Sequence, residues 1–368
     1  MRPIWDIDIF WHLSAGQWMW EHQSIATTDF MGIDPNRPWI SFQWGYQVLV
    51  YLLYETGGYP LLRVLHAALM LLSFALLFRS YHRELKNKWS AFALLAFTVL
   101  LFQDRINVRP HIFNLLGLAI VLPALLGAWR NASRLKLAGW VLCFGVWANL
   151  HAGGCFLMLI VLAAIPAGET GKAIFQGKAS LWKKAWLFYG ACLLVCILSP
   201  NFVRGILHAM TLVENTGHTI GEWNAPIAYL TELENPTPSR IVAGLTPYLC
   251  ALWIAAMALR RQLSKQDLGR VAAVLALSGL SLLYVRFVHF SAPIILILIS
   301  GSFESDSKHS NNHKIALFLV IVALLGMLWN TNIRRLFGGL APTIAAAAKN
   351  LDERRFPIEA ANFLESAH

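Results

Sequence analysis

Long runs of apolar residues alternate with short polar stretches along most of the chain. This pattern predicts ten membrane-spanning helices, at residues 59–79, 89–103, 111–129, 137–150, 154–168, 185–199, 241–259, 270–285, 288–301 and 314–331. Several are shorter than the ~20 residues that a helix needs to cross the hydrocarbon core, which is tolerable where helix ends face protein or water. The predicted fold class is therefore an all-α polytopic membrane protein.

The residues before the first span follow a different pattern. From about Ile9 to His22, aromatic and apolar residues recur with helical spacing, and a second such stretch covers Trp44 to Tyr54. Because Trp prefers the headgroup level of a bilayer, both stretches are predicted to be amphipathic helices lying in the membrane interface. The chain thus divides into an outer loop at 1–58, a transmembrane domain at 59–331 and an outer C-terminal segment at 332–368.

The charges of the loops predict the orientation. Lys and Arg concentrate in alternate loops, at residues 79–88, 130–136, 169–184, 260–270 and 302–314. The positive-inside rule assigns these loops to the cytoplasm. The N-terminal segment, the tail after 332 and the loops near 104–110, 151–153, 200–240 and 286–289 then lie outside.

Composition supports this class and excludes others. The chain is 57% hydrophobic and 14% charged, whereas soluble domains carry about 25% charged residues. The net charge of +10 comes from loops between apolar spans, so nucleic-acid binding is not indicated. The five cysteines lie in apolar segments without a CxxC pair, so they indicate neither a disulfide framework nor a zinc site.

The outer segments share residues that can bind a ligand or transfer a proton. The candidates are Asp6, Asp8, His12, Arg105, Arg109, His111, Asn149, His151, Glu222, Trp223, Arg286 and His289. Asp6 and Asp8 fit either a helix cap or a general base. Arg105 and Arg109 fit either side chains that reach lipid headgroups or a phosphate site. Glu222 and Trp223 fit either a capped loop with an interfacial Trp or a sugar subsite.

Several segments resemble one family of membrane enzymes. DIDIFWHLSAGQWMWEH, TTDF and RPWISFQWGYQVLVYLLYETGG resemble the first outer loop of bacterial proteins of the GT-C superfamily, which are integral-membrane glycosyltransferases. RINVRPHIFNL, WANLHAGGCFL, EWNAP and RFVHFSAP resemble further segments of the same set. Two features depart from the family pattern: the expected first transmembrane helix is absent, and the start of a soluble domain near residue 354 stops at His368.

The resemblance implies a reaction and roles for the residues. A sugar would move from a polyprenyl-phosphate donor in the membrane lipid to an acceptor of unknown identity, with inversion, at the outer face of the bacterial inner membrane. Asp6 or Asp8 would be the base, and Arg105, Arg109 and Arg286 would bind the phosphate. His151, Glu222 and His289 would orient donor or acceptor. A divalent metal, held by Asp6 and Asp8, is optional in this scheme.

Two other classes of function stay open at the level of sequence. One is a transporter or flippase for a lipid-linked or anionic substrate, although such sites usually lie near the bilayer midplane. The other is a non-catalytic membrane scaffold whose outer face binds a partner.

Overall fold

The structure is a computed structural model that describes residues 6–32, 37–102, 108–175, 181–216, 225, 245, 268–284 and 287–300. Within these residues the chain forms helices and one isolated bridge between Thr28 and Pro38. The helices are α1 (Asp8–His22), α2 (Trp44–Leu85), α3 (Lys88–Phe102), α4 (His111–Pro123), α5 (Arg134–Leu150), α6 (Ala152–Leu162), α7 (Ala164–Phe175), α8 (Trp182–Ile197), α9 (Phe202–Thr216), α10 (Leu268–Leu283) and α11 (Val288–Ser300). A π-helical turn at Ala124–Ala128 extends α4.

Eight of the ten predicted spans coincide with helices. The other two, at 241–259 and 314–331, lie outside the described residues. Three helical stretches are long and apolar enough to cross a membrane: Trp44–Leu85, His111–Ala128 and Ala152–Ile174. The bent pair Trp182–Ile197 and Phe202–His208, which turns by 81°, is a fourth if it forms one span. The all-helical, membrane-type fold is thus confirmed, while the count of ten and the interfacial position of the first helices stay predictions.

The helix α2 bends at a glycine, and the part of α2 before the bend packs closely against α1. Gly58 has φ 59° and ψ −160°, so α2 bends there, at the boundary predicted for the first span. Only glycine adopts this backbone conformation without strain. Before the bend, α2 packs along α1, where a Cβ on Gly16 would overlap the backbone carbonyl of Gln47. Gly16 therefore allows α1 to lie directly against α2.

The interior is built around α4, α6 and α7. In an apolar 18-residue stretch of His111–Ala128, 56% of the residues are buried, and in one of Ala152–Ile174 67% are buried. In the corresponding stretch of α2 only 22% are buried. Gly117 of α4 lies against the indole of Trp147 in α5, and because glycine has no Cβ these two helices can pack closely. The helix α2 is consequently peripheral.

Ionic contacts mark one end of the helix bundle. Arg270 Nη1 lies 2.5 Å from Glu84 Oε1, and Arg130 Nη2 lies 3.0 Å from Glu169 Oε1. Glu84 is at the end of α2, Arg270 is at the start of α10, and Arg130 shortly precedes α5. Glu169 lies within α7 and accepts the Leu181 N–H just before α8. We call this the basic end. Asp6, the start of α4 and the turn between α5 and α6 lie at the opposite end, which we call the Asp6 end.

The contact at Gly16 can be tested by substitution. We expect Gly16→Ala to lower the stability by about 1–3 kcal/mol, because the added methyl group must push backbone apart. The measurement is thermal unfolding of the purified protein in detergent. Gly139→Ala is the matched control: a Cβ there meets nothing within 4 Å, so it should leave stability unchanged or raise it by about 1 kcal/mol. Equal unfolding temperatures for Gly16→Ala and wild type would contradict the close packing.

Candidate functional site

An ion cluster joins the start of the chain to the start of α4. Arg109 contacts Asp6 through Nε and through Nη2, whose distance to Asp6 Oδ1 is 2.7 Å. The same Nη2 lies 2.8 Å from Asp8 Oδ2. A guanidinium that meets a carboxylate through two nitrogens fixes geometry as well as charge. Arg109 thereby holds both acids at one place, although Asp6 is 103 residues away in the sequence.

The two acids differ in their access to solvent. The Asp6 side chain is 2% exposed, against 35% for Asp8 and 31% for Arg109. Asp6 Oδ1 also accepts the backbone N–H of Asp8 at 3.1 Å. The N-cap of α1 is Ile7, and no side chain of the described residues caps this helix. Asp6 lies one residue earlier, where it bonds the first N–H of α1 and the Arg109 guanidinium. Asp8 forms its ion pair with Arg109 through Oδ2. Within the described part of the chain, its Oδ1 accepts no hydrogen bond.

A buried neutral histidine lies behind the acids. His12 is one turn after Asp8 on α1 and 1% exposed, and its ring lies 4.9 Å from that of Tyr46 in an edge-on contact. Burial lowers the pKa of His12 to about 3, with smaller electrostatic contributions from Arg109 and His151. His12 is thus uncharged at neutral pH. Its Nδ1 and the Tyr46 hydroxyl are buried without a hydrogen-bond partner in the described residues.

Two more histidines meet at the starts of α4 and α6. The rings of His111 and His151 are 5.1 Å apart. His151 Nδ1 accepts the backbone N–H of Gly154 at 3.0 Å, so the neutral ring carries its proton on Nε2. Since Pro110 alone separates His111 from Arg109, the histidine pair adjoins the ion cluster.

One buried amide fixes the positions of these elements. Asn114, one turn after His111, accepts the Trp147 indole N–H at 2.9 Å through Oδ1. Gly154, three residues after His151, packs so closely on the Asn114 side chain that a Cβ would overlap it. Asn114 therefore ties α4 to α5 and α6 just beneath the histidines.

Two other predicted site residues have structural hydrogen bonds. Asn149 donates to Gly145 O at 2.7 Å and accepts from Ser199 Oγ at 2.8 Å, which ties the end of α5 to the end of α8. His289 Nδ1 donates to Leu101 O at 2.7 Å and so caps the end of α3. Neither bond needs a substrate to explain it. The predicted residues Arg105, Glu222, Trp223 and Arg286 lie outside the described residues.

The donor set does not fit a divalent metal. Among the described residues, no group of three or more His, Cys, Asp and Glu side chains is placed to hold a metal ion. Asp6 and Asp8 instead share the Arg109 guanidinium.

The sequence prediction missed three buried polar residues. Tyr46 and Asn114 are 3% and 4% exposed, and Arg63 of α2 is a buried cation five residues after the bend. The prediction relied on loop residues, whereas these three lie inside apolar stretches. These residues could have been recognised because a polar side chain inside a membrane-spanning stretch usually has a functional or structural role.

No protein-family model matches the chain, and no curated protein matches it at a significant level. These comparisons assign no family to the protein. Its function has to be inferred from the site geometry and from the sequence segments that form it.

The state of His12 predicts how stability depends on pH. An unfolded histidine titrates near 6.5 and the folded His12 near 3, so the unfolded chain binds the extra proton between these values. The contribution of His12 is complete above pH ~6.5 and is lost as the pH falls towards 3. We expect His12→Gln to reduce the loss of stability between pH 7 and pH 5 by about 2 kcal/mol. Chemical denaturation at both pH values measures this, and an identical loss in variant and wild type would contradict it.

Proposed function

We propose that the chain is a membrane glycosyltransferase. It transfers a sugar from a polyprenyl-phosphate carrier to an acceptor hydroxyl at the outer face of a bacterial inner membrane. The Asp6–Arg109–Asp8 ion cluster is the observation that carries this proposal. The cluster holds a partly exposed carboxylate next to a cation at the Asp6 end, to which the sequence assigns the outer loops.

The arrangement of the resembling segments supports the proposal. DIDIFWH supplies both acids and His12, RINVRPHIFNL supplies Arg109, His111 and Asn114, and WANLHAGGCFL supplies Trp147 and His151. These segments are distant in sequence, yet their polar side chains converge at the Asp6 end. A structural scaffold has no need for a buried neutral histidine beside a charged pair. A transporter usually has its ionisable groups near the midplane instead.

Asp8 is the better base of the two acids. Asp6 is buried and its oxygens already accept from Arg109 and from the Asp8 backbone, so no substrate hydroxyl can reach it. Asp8 is partly exposed and contacts Arg109 through a single oxygen. Asp6 is thus a positioning residue that orients Arg109, and Arg109 in turn orients Asp8.

Arg109 has a different role from the phosphate ligand predicted from the sequence. Two carboxylates and one guanidinium leave this cluster with a formal charge of −1, which disfavours a phosphate at the same point. In the proposed site Arg109 holds the base. The candidate cations for the carrier phosphate are then Arg105 and Arg286, from the resembling segments RINVRPHIFNL and RFVHFSAP.

The chemical step follows from these roles. The acceptor oxygen attacks the anomeric carbon of the donor sugar while its proton passes to Asp8. The bond between that carbon and the phosphate oxygen breaks, and the polyprenyl phosphate leaves with the electron pair. A positioned base contributes typically 10²–10⁴-fold to such a step.

The role of Asp8 can be tested in cells that lack the endogenous protein. We expect Asp8→Asn to lower transfer by about 100-fold or more, because the amide cannot take the proton. Mass spectrometry of lipid extracts should then show an accumulated polyprenyl-phosphate sugar, as in cells without the protein. Glu21→Gln is the control, since Glu21 is an exposed acid of α1 whose bond within the described residues is to Gln17.

Each contrary result has a defined meaning. A wild-type lipid profile for Asp8→Asn, at normal protein level, would refute the base assignment. No lipid-linked sugar in the deletion strain would refute the transferase. If the accumulated lipid resists a membrane-impermeant oxidant, its sugar lies on the inner leaflet and the protein is a flippase.

A further inference from the structure

Helices α5 and α8 run in the same direction and pack side by side. Near their ends Asn149 bonds to Ser199, and near their middles the rings of Trp140 and Phe188 are 5.9 Å apart. At their starts, Lys184 Nζ donates to Arg130 O at 2.7 Å. Both helices therefore begin at the basic end, about 25 Å along α5 from the Asp6 end at 1.5 Å per residue.

Cations without acidic partners gather where these helices begin. We call this the α5–α8 cation cluster: Arg134, Lys136, Lys183 and Lys184. Lys136 lies one turn before Trp140 and Lys184 one turn before Phe188, so both are on the faces in contact. Within the described part of the chain, no member forms an ion pair. The nearby Glu169 is already bound by Arg130, Lys172 and the Leu181 N–H.

An exposed apolar and aromatic surface borders the cluster. Leu135 is 84% exposed, and Leu187 is 76% exposed. Trp182 and Trp186 are also exposed. Lys136 Nζ lies 5.2 Å from the centre of the Trp140 ring, and Lys183 Nζ lies 5.5 Å from that of Trp182. The ammonium groups are thus held beside rings of the kind that anchor at the headgroup level.

We propose that the α5–α8 cation cluster binds the headgroup of an anionic diacyl phospholipid. The phosphate neutralises cations contributed by both helices, and an acyl chain covers the exposed side chains of Trp186 and Leu187. Trp186 and Leu187 lie at the start of the predicted span 185–199, so their exposed side chains face the bilayer beside the cations. A lipid satisfies the cations and the apolar side chains together, whereas a free phosphate ion satisfies the cations alone. This site is separate from the Asp6 end and does not depend on the reaction proposed there.

The purified full chain in detergent provides the test. Native mass spectrometry with phosphatidylglycerol, and with phosphatidylcholine for comparison, gives the dissociation constant of each lipid. We expect phosphatidylglycerol to bind at least about tenfold more tightly than phosphatidylcholine. The variant Arg134→Gln, Lys136→Gln, Lys183→Gln should weaken phosphatidylglycerol binding by about fivefold for each cation removed. These side chains are exposed, so the variant should keep the unfolding temperature of the wild type.

A matched variant separates a site from general surface charge. Arg79→Gln, Arg83→Gln, Lys88→Gln removes the same charge from exposed positions at the end of α2 and the start of α3. Unchanged phosphatidylglycerol binding in this variant supports the proposal. An equal loss in both variants, or no loss in either, would overturn it. Inorganic phosphate that competes with the lipid at equal concentration would show an anion site instead and would also overturn it.

Discussion

The ion pair between Asp6 and Arg109 is the interaction on which the Asp6 end depends. A carboxylate with 2% exposure is unfavourable in a protein interior unless a cation and hydrogen-bond donors surround it. Arg109 supplies the cation, and the Asp8 backbone N–H supplies a further donor. The start of α1 and the start of α4 are therefore held at a fixed separation. Removal of Arg109 would leave the Asp6 carboxylate buried without a cation, which typically destabilises by about 3–5 kcal/mol.

Close helix packing complements this charge pairing. Gly16 brings α1 against α2, and Gly154 brings α6 against Asn114 of α4. In the absence of a hydrophobic driving force between helices in lipid, such contacts and interhelical hydrogen bonds determine which helices associate. The hydrogen bond from Trp147 to Asn114 joins α5 to α4 in the same way. Close packing of the helices next to His111 and His151 thus helps to fix the position of the partly exposed Asp8.

The sequence predicted the helices better than the site. Apolar runs identify spans reliably because backbone groups in lipid must be bonded within a helix, and eight segments indeed form helices. Charge and residue type also predicted that Asp6, Asp8, His12 and Arg109 would share one end. Sequence could not rank the two acids, since their exposure depends on how α1 packs on α2. It also missed Tyr46 and Asn114, because a polar residue inside an apolar run gives no sign of what it will face. The reaction itself stays a prediction from resemblance and geometry.

The sequence separation of the ion pair has a consequence for biosynthesis. Asp6 emerges from the ribosome early, whereas its partner Arg109 follows 103 residues later, after α1, α2 and α3. During this interval the Asp6 carboxylate has no counter-charge from α4, and such a charge is more stable in water than in an apolar environment. The contact that joins α1 to α4 can therefore form only after α2 and α3 have been synthesised.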